Sequence, residues 1–268
     1  MYFEKYHGTG NDFILFINEP NDPSVLALKV CDRHFGIGAD GILYPSKSIV
    51  ADIKMNYYNS DGSIAKMCGN GLRCFVKFVR SHGMVTKDHF VVETKAGLIE
   101  VKAHGHDVTL NLGEPRTHLG TDILTKEVNL EDGYTFNVNN QKVKGYLLTT
   151  GTMHTIIYMN DYPNLSIEEI APLIQKNHIF KDQSNINFVT VKENGIHVKT
   201  YERGAGWTLS CGTGVAASAF ATYQLKLVSD EINVTVPGGK LVVQIKNREI
   251  FLTGPAVKVC HGEYNEII

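Results

Sequence analysis

Two of the five cysteines stand at the start of predicted helices in nearly identical surroundings. The segment from Met67 reads MCGNGLRCFVKFV, and the segment from Ser210 reads SCGTGVAASAFAT. Each runs from Cys-Gly-x-Gly into a helical pattern of apolar residues. A helix start presents unpaired N–H groups and a positive dipole end, which bind anions and favour the thiolate form of a nearby cysteine. Cys68 and Cys211 are therefore the leading candidates for chemistry.

These two segments belong to an internal repeat with a shift of about 140 residues. Three further pairs of segments match in the same order along the chain. They are KYHGTGNDFILF with GYLLTTGTMHTIIY, IKMNYYNSDGS with HVKTYERGAG, and VETKAGLIEV with VTVPGGKLVV. Four matches at a nearly constant shift indicate two halves of similar topology.

The repeat predicts an α/β fold of two pseudo-symmetric domains. We expect an N-terminal half at residues 1–116 that carries Cys68 and a C-terminal half at 117–257 that carries Cys211, with a tail at 258–268 that returns to the first half. Hairpin turns are predicted near Gly105 and Asn247. The helix after Cys68 shows a one-sided apolar stripe, whereas the helix after Cys211 is apolar nearly all round and is expected to be central and buried.

Two activated thiols on opposite sides of one carbon would suit inversion of an amino acid at its α-carbon. One thiolate would remove the α-proton from one face, and the other thiol would return a proton to the opposite face. The carbanion's charge would spread into the carboxylate, where the two helix ends can stabilise it. Facing thiols would also be open to disulfide formation when no substrate is bound.

Composition narrows the other possibilities. The net charge of −2 provides no field to attract nucleic acid or an anionic membrane. An uncharged run, Thr208 to Leu225, is too polar for lipid and is predicted to be a buried helix. Five cysteines without a C-x-x-C pair or a signal peptide favour free thiols in the cytoplasm and no metal site.

The remaining cysteines and the alternative functions follow from the same reasoning. Cys31, Cys74 and Cys260 are expected to be small core hydrophobes. A cysteine hydrolase would use one thiol with a histidine base and would leave the second Cys-Gly-x-Gly segment unexplained. A non-catalytic binding protein with the same fold stays an alternative, although both cysteines are retained.

The chain resembles the diaminopimelate epimerase family over nearly its whole length. The resemblance rests on KYHGTGNDF (5–13), RHFGIGADG (33–41), NSDGSIAKMCGNGLRC (59–74), YERGAG (201–206), SCGTG (210–214) and GPAVKVCHGE (254–263). It implies a two-domain fold in which each domain is a curved, mostly antiparallel sheet wrapped around a central helix. It also implies a two-base mechanism without pyridoxal phosphate or any other cofactor.

The resemblance further implies roles for individual residues. Cys68 and Cys211 would be the acid/base pair, and the other residues would bind or orient the amino-acid substrate. The backbone N–H groups of Gly69, Asn70, Gly212 and Thr213 would hold the reacting carboxylate. The rest of the substrate would contact Asn11, Asn59, Asn185 and Arg203, and Glu202 and His154 would orient the amino group or a thiol.

Some of these residues have a purely structural alternative. Asn59 and Asp61 precede Gly62 and would also suit a turn. Arg203 next to Glu202 would also suit a surface ion pair, although its fork matches a distal carboxylate. His154 would also suit a buried core position.

Two positions depart from the family's usual pattern, and a third lies where the family varies. Thr152 replaces an asparagine that contacts substrate in the family, and Asn187 replaces a glutamate. Trp207, the single tryptophan, lies just before the second cysteine. We therefore predict diaminopimelate epimerase as the leading function, with a racemase of another amino acid, such as histidine, as the alternative. The oligomeric state is left open, with a homodimer as one expectation.

Overall fold

The computed structural model describes residues 1–265 as a mixed α/β protein. Its helices are α1 Pro23–Val30, α2 Gly69–Ser81, α3 Ile167–Gln175 and α4 Gly212–Gln224. The strands up to residue 129 are β1 Tyr2–Gly8, β2 Asn11–Phe16, β3 Gly41–Ser46, β4 Ile53–Asn59, β5 His89–Thr94, β6 Gly97–His104, β7 Asp107–Asn111, β8 His118–Leu119 and β9 Val128–Asn129. The later strands are β10 Tyr134–Val138, β11 Gln141–Thr149, β12 Met153–Tyr158, β13 Asn185–Lys192, β14 Gly195–Glu202, β15 Gly206–Thr208, β16 Glu231–Val236, β17 Gly239–Lys246, β18 Glu249–Pro255 and β19 Val257–Glu263.

The chain divides into two compact units. Unit 1 comprises Met1–Asn111 together with the chain from Thr253 onward, and unit 2 comprises Leu112–Leu252. Both boundaries lie five residues before the ones expected from the repeat, which were 116/117 and 257/258. The C-terminal strand β19 belongs to unit 1, where it pairs antiparallel with β1 from Tyr2↔Glu263 to His7↔Val257.

The two units use the same sequence of strand pairings. In unit 1 the order is β19-β1-β2-β3-β4-β5-β6-β7, and the β2–β3 and β4–β5 pairs are parallel. In unit 2 the order is β10-β11-β12-β13-β14-β16-β17, and the β12–β13 and β14–β16 pairs are parallel. All other pairs in these runs are antiparallel, so the sequence repeat is a repeat of topology.

Both predicted hairpin turns lie where the sequence placed them. In unit 1, His104 pairs with Asp107 across a turn that contains Gly105, whose φ is +53°. In unit 2, Asn247 and Arg248 connect β17 to β18, with φ of +51° and +69°. Consecutive left-handed residues give a two-residue turn whose twist matches that of the flanking strands.

One helix packs across several strands of each unit. The α2 helix contacts β1, β2, β3, β6 and β7, and the α4 helix contacts β11, β12, β13, β14, β16 and β17. The α4 prediction is confirmed, because its apolar and small residues are buried nearly all round. The predicted apolar stripe of α2 is buried, and Arg73, Cys74 and Phe78 outside it are fully buried as well. Strands on several sides of α2 cover the face that the sequence pattern left to solvent.

Within the described residues, no helix is long and apolar enough to cross a membrane. The uncharged run from Thr208 lies in the end of β15 and in α4. No group of three or more His, Cys, Asp or Glu side chains in the same residues could hold a metal ion.

All five cysteines are free thiols, and Cys31 and Cys74 are buried. The expectation of a core position is wrong for Cys260, which is exposed on β19.

Candidate active site

Both candidate cysteines are the N-cap residues of 13-residue helices. Cys68 precedes α2 and Cys211 precedes α4, each with extended backbone angles. The first backbone bonds of the two helices run from Leu72 N–H to the Cys68 carbonyl and from Val215 N–H to the Cys211 carbonyl, at 2.8 Å each. Neither cysteine makes a side-chain capping hydrogen bond. The first turn of a helix presents N–H groups that the bonds of the helix ladder do not use, and such groups suit a ligand carboxylate.

The Cys68 thiol of unit 1 lies against the turn between β1 and β2. Its Sγ donates to Oδ1 of Asn11 at 3.3 Å, and Nδ2 of Asn70 donates to the same oxygen at 3.4 Å. The structure thus brings together three predicted site residues, which come from β2 and from the first turn of α2. Cys68 itself is half-buried, so a small molecule can reach it.

A charged cluster fixes the orientation of the Asn11 amide. Nδ2 of Asn11 donates to Oδ2 of Asp40 at 2.5 Å, which directs Oδ1 to Cys68. Asp40 in turn pairs with Arg33 at 2.9 Å, and Arg33 pairs with Asp12 at 2.7 Å. The RHFGIGADG segment therefore supports the site by orienting Asn11, a function that the sequence did not reveal.

Asn59 is engaged in a turn rather than with Cys68. Its Nδ2 donates to the Ser63 hydroxyl at 2.9 Å, and Asp61 accepts from the Ser63 N–H at 2.9 Å. The next residue, Ser60, donates its N–H to the Asp40 carbonyl at 3.1 Å. Asn59 thus lies beside the Asp40 cluster and has the turn contacts that its spacing before Gly62 favours.

Unit 2 presents the equivalent thiol in a different environment. Cys211 is 6% exposed, and its Sγ lies 3.5 Å from the Thr213 hydroxyl. Burial and, second, the negative charge of Glu202 raise the pKa of Cys211 well above its ordinary value. This corrects the expectation that a helix start alone would make this cysteine a thiolate, because desolvation and a neighbouring carboxylate outweigh the dipole.

Glu202 is held against this thiol by a hydroxyl. The Thr208 Oγ1 donates to Oε1 of Glu202 at 2.6 Å. The negative charge of Glu202 and its capacity to accept from the thiol both raise the pKa of Cys211, after the larger effect of burial. These contacts suit the orienting role that the resemblance implies for Glu202.

His154 is fully buried and neutral. Asn187 fixes its tautomer: Oδ1 of Asn187 accepts from the Thr200 hydroxyl at 3.0 Å, and Nδ2 donates to the Thr155 carbonyl at 3.3 Å. The same Nδ2 lies 3.2 Å from Nδ1 of His154, so Nδ1 is an acceptor and the proton is on Nε2. Burial lowers the pKa of His154 to about 3.

The consequence is that His154 offers a donor, not a base. Its Nε2 is buried and has no hydrogen-bond partner among the described residues. An unsatisfied buried donor costs free energy unless a ligand supplies an acceptor. The glutamate that is usual in the family would accept a proton from Nδ1, so Asn187 is what makes this histidine an Nε2–H donor.

The other predicted contacts also belong to unit 2. The Asn185 Oδ1 accepts the Arg203 N–H at 2.8 Å. The Arg203 guanidinium pairs with the exposed Asp182 carboxylate, not with Glu202. Thr152 lies in the turn between β11 and β12, directly before β12. Trp207 is 40% exposed and packs edge-on against Tyr201 at 5.3 Å, so aromatic neighbours already fix its ring.

Known proteins share this sequence over most of its length. The diaminopimelate epimerase family model matches residues 3–118 and 146–259. A diaminopimelate epimerase of Alkaliphilus metalliredigens is 41% identical over 276 residues, covering 98% of this chain and 96% of that protein. A diaminopimelate epimerase of Clostridium perfringens is 39% identical over 282 residues, covering 98% of this chain and 99% of that protein.

Solved structures share the fold at low sequence identity. A phenazine biosynthesis protein of the PhzF family from Bacillus anthracis has a TM-score of 0.70 at 16% identity, with 99% of each chain covered. A probable proline racemase from Agrobacterium radiobacter has a TM-score of 0.68 at 14% identity, covering 99% of this chain and 93% of that one. The predicted fold class of two repeated α/β halves is confirmed. By family model and full-length relatives, the chain belongs to the diaminopimelate epimerase family.

Proposed function

We propose that the protein is an isomerase that converts LL-diaminopimelate to the meso form by inverting one α-carbon, without a cofactor. The observation that carries the proposal is the pair of cysteines at equivalent helix starts, in a chain that matches diaminopimelate epimerases over its whole length. The substrate is the one in the relatives' names. The five free thiols suit a reducing cytoplasm, where this biosynthetic step would take place.

The acid and base assignments follow from the two thiol environments. Burial and Glu202 both favour the protonated form of Cys211, so Cys211 supplies the proton. The Sγ of Cys68 takes the α-proton: an S–H bond forms, the Cα–H bond breaks, and the electron pair moves into the carboxylate-stabilised carbanion. The Cys211 S–H bond then breaks as its proton reaches the opposite face of the carbon. The reverse reaction uses the same groups with their roles exchanged.

The first-turn N–H groups of both helices stabilise the charge that develops on the reacting carboxylate. Gly69 and Asn70 supply them from α2, and Gly212 and Thr213 supply them from α4. Fixed donors at helix ends cost no reorganisation when the carbanion forms. His154 contributes its Nε2–H as a further donor to the substrate or to a thiolate.

The distal end of the substrate would contact Asn11, Asn59, Asn185 and Arg203. Arg203 pairs with a carboxylate that is 84% exposed, and surface pairs of this kind contribute little to stability. A substrate carboxylate can therefore replace Asp182 at little cost. Thr152 offers a hydroxyl at the position of the family's asparagine, which keeps one hydrogen bond to the ligand.

The test is α-proton exchange in D2O under reducing conditions, followed by proton NMR. LL- and meso-diaminopimelate are expected to lose their α-proton signals in the presence of protein, and L-histidine is not. Exchange of L-histidine without exchange of diaminopimelate would replace the proposal with the histidine racemase alternative. Absence of exchange with every amino acid in the panel would favour a non-catalytic binding protein. A homodimer is a separate proposal that sedimentation would test.

A further inference from the structure

Arg73 is a buried cation without a carboxylate partner. It is the fifth residue of α2 and is fully buried. No Asp or Glu in the described residues forms an ion pair with it, and its Nη1 is buried without a hydrogen-bond partner there. Burial lowers the pKa of the guanidinium, but arginine starts so high that the group keeps its charge at neutral pH. A buried unpaired charge is costly, so its retention requires a reason.

Arg73 lies at one end of a hydrogen-bond chain that reaches the Cys68 thiol. Its Nη2 donates to the Thr9 hydroxyl at 3.2 Å, and Thr9 Oγ1 is 3.5 Å from Asn70 Oδ1, to which it donates. Asn70 Nδ2 then donates to Asn11 Oδ1, the oxygen that accepts from Cys68. Arg73 also donates from Nε to the Pro255 carbonyl at 3.2 Å. The guanidinium thus connects α2, the β1–β2 turn and the end of β18.

The backbone conformation at Gly8 and Thr9 makes these hydrogen bonds possible. Thr9 has a φ of +51°, a left-handed conformation that is unfavourable for a β-branched residue. A Cβ at Gly8 would lie 2.9 Å from the Asn70 carbonyl oxygen and 3.1 Å from Arg73 Nη2. Only glycine therefore allows β1 to approach α2 closely enough for the contact.

Unit 2 shows what the same frame looks like without the cation. The fifth residue of α4 is Ala216, and the turn between β11 and β12 carries Thr150 where the β1–β2 turn carries Thr9. The Thr150 hydroxyl is buried and has no hydrogen-bond partner among the described residues. The arginine and the satisfied hydroxyl therefore occur together in one repeat and are both lost in the other.

We propose that Arg73, acting through Thr9, is a positioning residue for Cys68 that fixes the Asn11 acceptor against Sγ and favours the thiolate by its buried charge. The proposal rests on the proposed function in assigning Cys68 as the base. The two effects oppose one another, because the Asn11 oxygen favours the thiol and the cation favours the thiolate. A group that must carry a proton in one half of the cycle and lack it in the other is served by such a balance.

The groups that interact electrostatically with Arg73 are few. They are the thiols of Cys74 and Cys68 and the Asp107 carboxylate. Cys74 is fully buried and its pKa is raised by burial, so it stays protonated. Cys68 is the half-buried thiol of the pair and the one whose charge can change during turnover.

The experiment follows alkylation of each cysteine by iodoacetamide against pH, with peptide mass spectrometry to separate the sites. In Arg73→Met, Cys68 is expected to react about tenfold more slowly at pH 7, its profile displaced to higher pH by about one unit. Arg73→Lys keeps the charge and is expected to recover most of the shift. Cys211 in the same samples serves as the control and is expected to keep its wild-type profile.

The Thr9 variants test the positional half of the proposal. Thr9→Val keeps the shape and removes the hydroxyl bridge, and we expect kcat to fall about tenfold with KM nearly constant. Thr9→Ser keeps the hydroxyl and is expected to have a kcat close to that of the wild type. If Arg73→Met does not fold, the results for Arg73→Lys and Thr9→Val decide whether the proposal stands. A folded Arg73→Met with an unchanged Cys68 profile, or an equal shift at Cys211, would overturn the proposal. Alkylation needs no substrate, so a wrong substrate assignment would leave this result intact.

Discussion

The starts of α2 and α4 share their backbone geometry and differ in the side chains that surround the cysteine. Each helix begins after a cysteine and runs for 13 residues. At Cys68 the fifth helical residue is the cation Arg73, and the residue that ends β4 is the neutral Asn59. At Cys211 the fifth residue is Ala216, and the residue that ends β14 is Glu202. Duplication thus supplied two identical frames, and side-chain divergence gave one thiol a positive and the other a negative neighbour.

This difference suits a two-base reaction. A pair of identical thiols would share one protonation state at a given pH, whereas inversion needs one proton acceptor and one proton donor at the same time. Burial and, second, Glu202 raise the pKa of Cys211, whereas Cys68 is half-buried and interacts electrostatically with the Arg73 cation. The comparison predicts effects that can be ranked from the largest to the smallest.

The largest effect is expected from removing either thiol. Cys68→Ser and Cys211→Ser should each lower the rate of inversion by roughly 10²–10⁴, since each removes a proton-transfer group. The measurement is the interconversion of LL- and meso-diaminopimelate followed by chiral chromatography. Cys260→Ser is the matched control, because that cysteine is exposed on β19 and should leave the rate unchanged. Full activity in Cys68→Ser or in Cys211→Ser would contradict the assignment of both thiols to proton transfer.

The next effect concerns the carboxylate beside Cys211. Glu202→Gln removes a negative charge that raises the pKa of Cys211, so that pKa should fall. We expect alkylation of Cys211 to shift to lower pH by about one unit, with most of the elevation left because burial is the larger cause. Cys68 in the same protein is expected to keep its profile. A shift of Cys211 to higher pH would contradict the assigned sign.

The third effect is a loss of stability at low pH that only unit 2 should show. His154 begins the parallel pairing of β12 with β13, and the corresponding position of unit 1, at the start of the β2–β3 pairing, is Phe13. His154 has a pKa of about 3 in the folded protein, below the ordinary value of about 6.5 in the unfolded chain. The unfolded state therefore binds the extra proton first. Stability is complete above pH 6.5 and is lost as the pH falls toward 3, by about 2 kcal/mol at pH 5.

Urea unfolding at pH 7.5 and pH 5 would measure this loss. His154→Gln has no imidazole to protonate and should lose less stability over that interval than the wild type. An equal loss in the two proteins would show that His154 is not the group responsible. A neutral His154 also predicts that the pH profile of activity between pH 5 and pH 8 is the same in shape for the wild type and His154→Gln.

The smallest effect is expected at the turn that lacks a cation. Thr150→Val removes a buried hydroxyl that has no partner among the described residues. We expect the free energy of unfolding to stay constant or to rise by about 1 kcal/mol, because no hydrogen bond is lost. Thr9→Val, which breaks the bond to Arg73, is the matched comparison and should be destabilising. Equal losses in the two variants would remove the distinction between the turns.

The sequence predicted the frame of this site well. The repeat located both cysteines at helix starts because Cys-Gly-x-Gly before a helical pattern is a local signal, and local signals survive in the fold. The hairpin turns at Gly105 and Asn247 were predictable for the same reason. The strand order that the two units share could not be read from the sequence, since it depends on pairings between distant segments.

The electrostatics of the site were less predictable. The sequence favoured a thiolate at both cysteines, whereas burial and, second, Glu202 raise the pKa of Cys211 only in the folded chain. Arg73 stood in the quoted motif without a role, since neither its burial nor its contact with Thr9 has a sequence signal. The Asp40 contact that orients Asn11 likewise joins two segments 29 residues apart.

The most direct test of the account is the pH at which each cysteine of the wild-type protein becomes reactive. Iodoacetamide labelling over a pH series, with Cys68 and Cys211 quantified in the same sample, gives a midpoint for each thiol that does not depend on its accessibility. We predict that Cys68 reaches its midpoint at least one pH unit below Cys211, by roughly the effect of one nearby charge. Coincident midpoints, or a lower midpoint for Cys211, would contradict it.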